Sequence, residues 1–128
     1  MALDLHCPWI RGELNEKIYF VGMPDQEAWK RVGEFSATLA EVRRGPLPYA
    51  ESNNLPFGKA WNKEAEPPGT EPRGFSRWMS ALPGVWFAAS LELPYANAEG
   101  AAVTADSARA FGRDLAEAIR HHLARPLR

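Results

Sequence analysis

The stretch "VWFAASLEL", Val85 to Leu93, decides the fold. Val85, Phe87, Ala89, Leu91 and Leu93 take one side of it and Trp86, Ala88, Ser90 and Glu92 the other, the two-residue period of a strand. Glu92 is the residue in it that needs a reason. It shares a face with the small Ala88 and Ser90 and has Leu91, Leu93 and Pro94 around it. A carboxylate in such a place is desolvated, which costs free energy unless it gains a partner. Desolvation also raises its pKa toward the range useful for proton transfer near neutrality. The plainer alternative is a glutamate at a strand edge or end, facing water or paired with an arginine.

Working outward, "ALDLH" (residues 2–6) alternates Leu3 and Leu5 against Asp4 and His6, the pattern of a half-buried strand, and Pro8 cuts it off. "KIYFVG", Lys17 to Gly22, is β-branched and aromatic and closed by glycine, so it reads as a second strand. A helix follows. Pro24 suits its first turn, Asp25 and Glu27 complement its positive end, and Ala28, Val32, Phe35, Leu39 and Val42 recur on one face. Arg43 and Arg44 suit its last turn, and Gly45-Pro46 end it. From Gly45 to Gly74 six prolines predict a long loop, in which Glu51, Lys59 and Arg73 are charged candidates without a geometry to rank them. "GFSRWMSAL" reads as a short helix. The last helix starts at Thr104, an N-cap residue, carries Ala108, Phe111, Leu115, Ala118 and Ile119 on its apolar face, and stops at Pro126.

Composition limits the function classes. The 128 residues make one domain or part of one, and 45% hydrophobic content is enough for a core. Fifteen basic residues against 16 acidic ones, a net charge of -1, give no electrostatic case for nucleic acid or an anionic membrane. One cysteine, Cys7, excludes an intrachain disulfide. No apolar run has the length of a membrane span and no signal-peptide pattern opens the chain, so a complete chain would be expected in the cytoplasm.

His6 stands at the predicted end of the first strand, beside Cys7. Alone it is either a hydrogen-bonded structural histidine or a metal ligand. A His-Cys zinc set has no second cysteine to complete it, and nothing nearby marks Cys7 as an activated thiol. His121 and His122 point in different directions on a helix and read as a solvated helix end.

In their order, "LDLHCP", "FAASLELPYAN" and "VTADSARAFGRDLAEAI" resemble the C-terminal half of the catalytic domain of zinc carboxypeptidases of the carboxypeptidase A-like class. The resemblance covers nearly all of this chain and only part of the family domain. It implies an α/β fold in which a partial mixed β-sheet packs with helices, as in half of an α/β/α sandwich, over residues 1–128. It implies His6 as the third zinc ligand and Glu92 as the general base and acid, with zinc as cofactor and a peptide or acylated amino acid as substrate. The region of about residues 45–74 would form the cleft rim.

The departures are definite. The family's other two zinc ligands come from an upstream His-x-x-Glu motif, which this chain lacks, as it lacks the upstream residues that bind the substrate carboxylate. No tyrosine lies between Tyr49 and Tyr95, where members carry a mobile one; Phe75 or Trp78 would occupy nearby space without a phenol. Family members have a cis peptide after the histidine, and the Cys7-Pro8 bond is expected to be cis, since proline makes that form cost only about 0.5–1 kcal/mol. Two accounts follow. The chain is an inactive C-terminal portion of a zinc-dependent hydrolase of peptide or amide bonds that needs its N-terminal portion, or it is a non-catalytic α/β binding or interaction module retaining half of the fold.

Overall fold

The computed structural model describes residues 1–63, 69–70 and 74–124. Pro67, Pro68, Pro72, Arg73 and Pro126 lie outside them. The elements are strand β1 (Ala2–His6), β2 (Tyr19–Val21), helix α1 (Gln26–Val42), a 3-10 turn at Glu51–Asn53, helix α2 (Phe75–Ser80), strands β3 (Ala88–Glu92), β4 (Asn97–Ala98) and β5 (Ala101–Ala102), and helix α3 (Ala105–Leu123). The fold is α/β, as the sequence predicts. Its main sheet is small and mixed, with β3 in the middle, β1 parallel on one side and β2 antiparallel on the other.

The register fixes what each face does. Leu3, Ala89, Leu91 and Phe20 share the face that meets the core, where Val32, Phe35 and Leu39 of α1 and Phe111, Leu115 and Ala118 of α3 pack against them. Phe35 sits at the crossing, edge-on to Phe20 at 5.8 Å and tilted against Phe87 at 5.2 Å, separations at which aromatic pairs attract beyond their burial. Asp4, His6, Ser90, Glu92 and Tyr19 lie on the opposite face. Helix α2 packs on β1 and β3.

The helix ends follow side-chain chemistry. Asp25 is the N-cap of α1 rather than part of its first turn: its Oδ1 accepts from the backbone N–H groups of Glu27 and Ala28, at 2.9 and 3.0 Å. Pro24 accordingly sits outside the helix. Thr104 caps α3 in a reciprocal box with Ser107, which takes the place of the usual glutamate. Ser107 therefore faces inward while Ala108, expected on the apolar face, is exposed. The two long helices are tied by Asp114 of α3, whose oxygens accept from Arg44 N–H at 3.0 Å and Gly45 N–H at 2.9 Å. A Cβ at position 45 would lie 2.9 Å from that carboxylate, which is why glycine stands two residues past Arg43, the C-cap of α1.

The region after Gly45 is better ordered than its prolines suggest. Leu47, Tyr49 and Leu55 are core residues, and Leu55 pairs with Val21 as a short extension of the sheet. The Ser36 hydroxyl donates to Tyr49 Oη, the Tyr49 hydroxyl to Asn54 Oδ1 at 3.1 Å, and Asn54 Nδ2 back to Ser36 Oγ at 2.7 Å, a closed ring in which each group is both donor and acceptor. Burial pushes the Tyr49 phenol up to about 12. Asn54 Oδ1 also accepts from Phe20 N–H at 3.0 Å, so the ring fastens this loop to β2.

That sharing ranks two substitutions. Tyr49→Phe removes one member and should cost about 1 kcal/mol, whereas Asn54→Ala orphans Phe20 N–H as well and should cost about 2–3 kcal/mol. Denaturant unfolding of the two variants checks the order; equal losses would mean the ring does not fasten β2.

Candidate functional site

His6 and Glu92 are brought together. They are paired in register on neighbouring parallel strands, on the sheet face away from the helical core, so their side chains point to one side, as the resemblance requires. The ladder continues past them through Leu93 N–H to His6 O at 2.8 Å, which holds the rung firmly. On the other side of Glu92 the same rung is completed by Tyr19 of β2. Glu92 is thus in the middle of the sheet and 7% exposed, which overturns the alternative of a strand-edge carboxylate facing water.

The electrostatics follow from that placement. Among the described residues, Glu92 Oε2 is buried and has no hydrogen-bond partner. Desolvation pushes the Glu92 carboxyl above the usual carboxylate range, the charge of Asp4 adds to this, and His6 opposes it. Asp4 reaches toward both neighbours, with Oδ2 at 3.7 Å from His6 Nδ1 and accepting from Ser90 Oγ at 3.3 Å. Tyr19 is nearly inaccessible; burial raises its phenol to about 12, against a hydrogen bond with Trp61 that lowers it.

A cleft of about 380 Å³ opens at this rung, within the size range of small-molecule sites, and His6, Cys7, Trp9, Tyr19, Trp61 and Glu92 line it. Two chain segments supply its walls. After Pro8 the backbone folds into successive turns, with Gly12 N–H bonded to Trp9 O at 2.8 Å and Asn15 Nδ2 to Ile10 O at 2.6 Å, which leaves Trp9 projecting. The opposite wall depends on Gly22. Its N–H donates to Leu55 O at 2.7 Å and its carbonyl accepts from Asn62 Nδ2 at 2.9 Å. A Cβ there would collide with Phe57 N and, at 2.8 Å, with Leu55 O, so only glycine lets the loop lie this close. Asn62 in turn closes a turn on Lys59 whose second residue, Ala60, has φ +44°, a conformation that disfavours any side chain. Trp61 is the residue this turn delivers to the cleft.

Several expectations are corrected. The Cys7-Pro8 bond is trans, which counts against the alignment with a family that has a cis peptide after the histidine, and the bend after His6 is made by the turns that follow. His122 is not a solvated helix end: it is buried, stacked on Trp86 at 5.2 Å and edge-on to Phe35 at 5.3 Å. His121 is the exposed member, bonded to Glu117 at 2.9 Å. Phe75 and Trp78 are exposed on α2 and do not line the cleft. Glu51 and Lys59 are exposed, as solvated charges are. The phenol beside Glu92 comes from Tyr19, which the sequence reading passed over as an ordinary strand residue.

The donor set does not by itself fit zinc. His6 is one imidazole, and among the described residues no three His, Cys, Asp or Glu side chains converge as a metal-binding group, whereas catalytic zinc takes three protein ligands. Also among the described residues, no helix is long and apolar enough to cross a membrane. Comparison of the chain with protein-family profiles, with curated proteins and with solved structures found no match.

The buried carboxylate carries a stability consequence with a definite sign. A carboxyl whose pKa is raised by folding favours the protonated protein, so its contribution is most favourable in acid and is lost as pH rises through the folded value. Replacing Glu92 with Leu should therefore stabilise the fold at pH 7.5 by about 1–3 kcal/mol. The gain should shrink toward pH 4, as read by denaturant unfolding at both pH values.

Proposed function

We propose that this chain carries the proton-transfer group and one metal ligand of a zinc-dependent hydrolase of peptide or amide bonds. Glu92 is the general base and acid, and His6 is one ligand of a zinc whose other ligands come from polypeptide outside these 128 residues. The observation that supports it is the shared rung: an exposed imidazole beside a buried carboxylate with an unsatisfied oxygen, at the floor of a cleft. Desolvation matches the carboxyl to this task, since a proton must be taken and released near neutral pH.

In this reading Glu92 accepts one proton from the attacking water as its oxygen bonds to the substrate carbonyl carbon. It then gives that proton to the amide nitrogen as the C–N bond breaks, so the carboxylate is restored. Asp4, with Oδ2 3.7 Å from His6 Nδ1, places negative charge beside the ring and favours positive charge on it, whether from a proton or a metal ion. The aromatic walls limit water around Glu92 and keep its proton affinity high. The substrate class is a peptide or acylated amino acid.

The second reading, a non-catalytic binding module, is favoured by one observation, the absence of three converging metal donors among the described residues. Zinc titration of the 128-residue chain should give only weak binding that His6→Ala removes, and a tight stoichiometric site would overturn the account in which the other zinc ligands lie outside these 128 residues. An in-frame His-x-x-Glu segment upstream of Met1 is the expected genomic counterpart. A polypeptide joining that segment to this chain should hydrolyse N-acylated amino acids, and Glu92→Gln in it should lower kcat about 10²–10⁴-fold with zinc stoichiometry intact. If zinc binds tightly in the joined polypeptide without hydrolysis, the binding-module reading replaces this one.

A further inference from the structure

We infer that the cleft beside Glu92 is a recognition site for a primary ammonium group carried on a flat apolar body, the carboxylate meeting the cation and the indoles of Trp9 and Trp61 covering the body. The inference concerns the same cleft as the hydrolytic reading and stands beside it, since it needs neither a metal nor bond cleavage.

Three observations converge on this ligand class. Glu92 is a buried carboxylate with an oxygen that no described residue satisfies, and among the described residues neither Lys nor Arg lines the cleft. A buried carboxylate gains most from a donor that also carries positive charge, because hydrogen bonds between ionised partners are roughly twice as strong as neutral ones. Second, the balance of charge at the rung is acidic: Asp4 stands on the same sheet face as Glu92, and among the described residues His6 is the one basic group in the cleft lining, with Tyr19 and Cys7 as its other titratable groups.

Third, the walls suit the rest of such a ligand. Trp9 is 73% and Trp61 57% exposed, so two of the chain's largest apolar side chains stand open to solvent at the mouth of one cleft. Indole is the strongest of the side-chain rings in attracting a cation, and a flat hydrophobic body would cover both surfaces at once. The turn through Ala60, closed by Asn62 N–H on Lys59 O, sets Trp61 in place before any ligand arrives. A quaternary ammonium would use the rings but could not donate to Glu92. An anion would meet the Glu92 carboxylate, and a neutral alcohol would fill the oxygen without the charge.

Isothermal titration of the 128-residue chain, without metal at pH 7.5, separates these outcomes with three probes of one shape: phenethylammonium, 2-phenylethanol and phenylpropionate. The ammonium should bind at least ten-fold more tightly than the alcohol, and the carboxylate more weakly than either. Glu92→Gln should bring the ammonium down to the alcohol's affinity and leave the alcohol unchanged. Trp9→Ala, at a site so exposed that folding does not depend on it, should weaken ammonium and alcohol together. Equal affinity for ammonium and alcohol, or no ammonium binding up to about 10 mM, would overturn the inference. Hydrolysis is read on the joined polypeptide with zinc, so either reading can fail while the other stands.

Discussion

The site depends on one rung of the sheet, at which Glu92 is flanked by His6 in parallel and by Tyr19 in antiparallel pairing. Strand pairing fills both edges of β3 with backbone, and the helical core fills one of its faces. What remains to Glu92 is the other face, and there a histidine, a phenol and two indoles surround it. A carboxylate in a central strand is ordinarily a liability. Here the fold keeps it buried while giving it a cleft, at an energetic cost that no hydrogen bond from a described residue to Oε2 offsets.

The strength of that rung comes from local choices made elsewhere. Asp25, Thr104 and Asp114 satisfy backbone donors at helix ends, so α1 and α3 present fixed faces to Phe20, Ala89 and Leu91. The hydrogen-bonded ring of Ser36, Tyr49 and Asn54 carries this order to the loop that follows α1. Gly22 lets the next part of that loop press against β2, and the turn through Ala60 then sets Trp61 at the cleft. A polar ring in the core and a glycine at a close approach therefore act on the site without touching it.

How much of this could be read beforehand differs by the range of the interaction. The alternation within Ala88–Glu92, the arrest of β1 before Pro8, and most of the apolar spacing of both long helices are local signals that the structure follows, whereas Val85 to Phe87 precede β3 and Trp86, expected opposite Phe87, packs beside it on the core. His6 and Glu92 were legible because each is a polar exception within an apolar strand pattern. Tyr19, Trp9 and Trp61 were not, because β-prone and turn-rich segments carry aromatic residues for many reasons and only the tertiary approach gathers these three. The docking of the loop at Leu55 was hidden for the same reason: prolines signalled an irregular backbone, and nothing local shows that Gly22 has no room for a side chain. His122 was misread because helical spacing gives its direction but not that Trp86 and Phe87 lie in that direction.

The parallel pairing of β1 with β3 has a kinetic meaning. The side-chain hydrogen bond between Asp4 and Ser90 closes a separation of 86 residues, so nearly the whole chain must be collapsed before this edge of the sheet can form. Contacts of such long sequence separation are slow to be made, because the entropy of closing the intervening chain is lost before they contribute. Helices α1 and α3 and the β2–β3 pair can assemble without β1. Both pairings of β3 are of this kind, since Tyr19 and Glu92 also lie 73 residues apart, so the rung of His6, Glu92 and Tyr19 is completed only once distant parts of the chain have met.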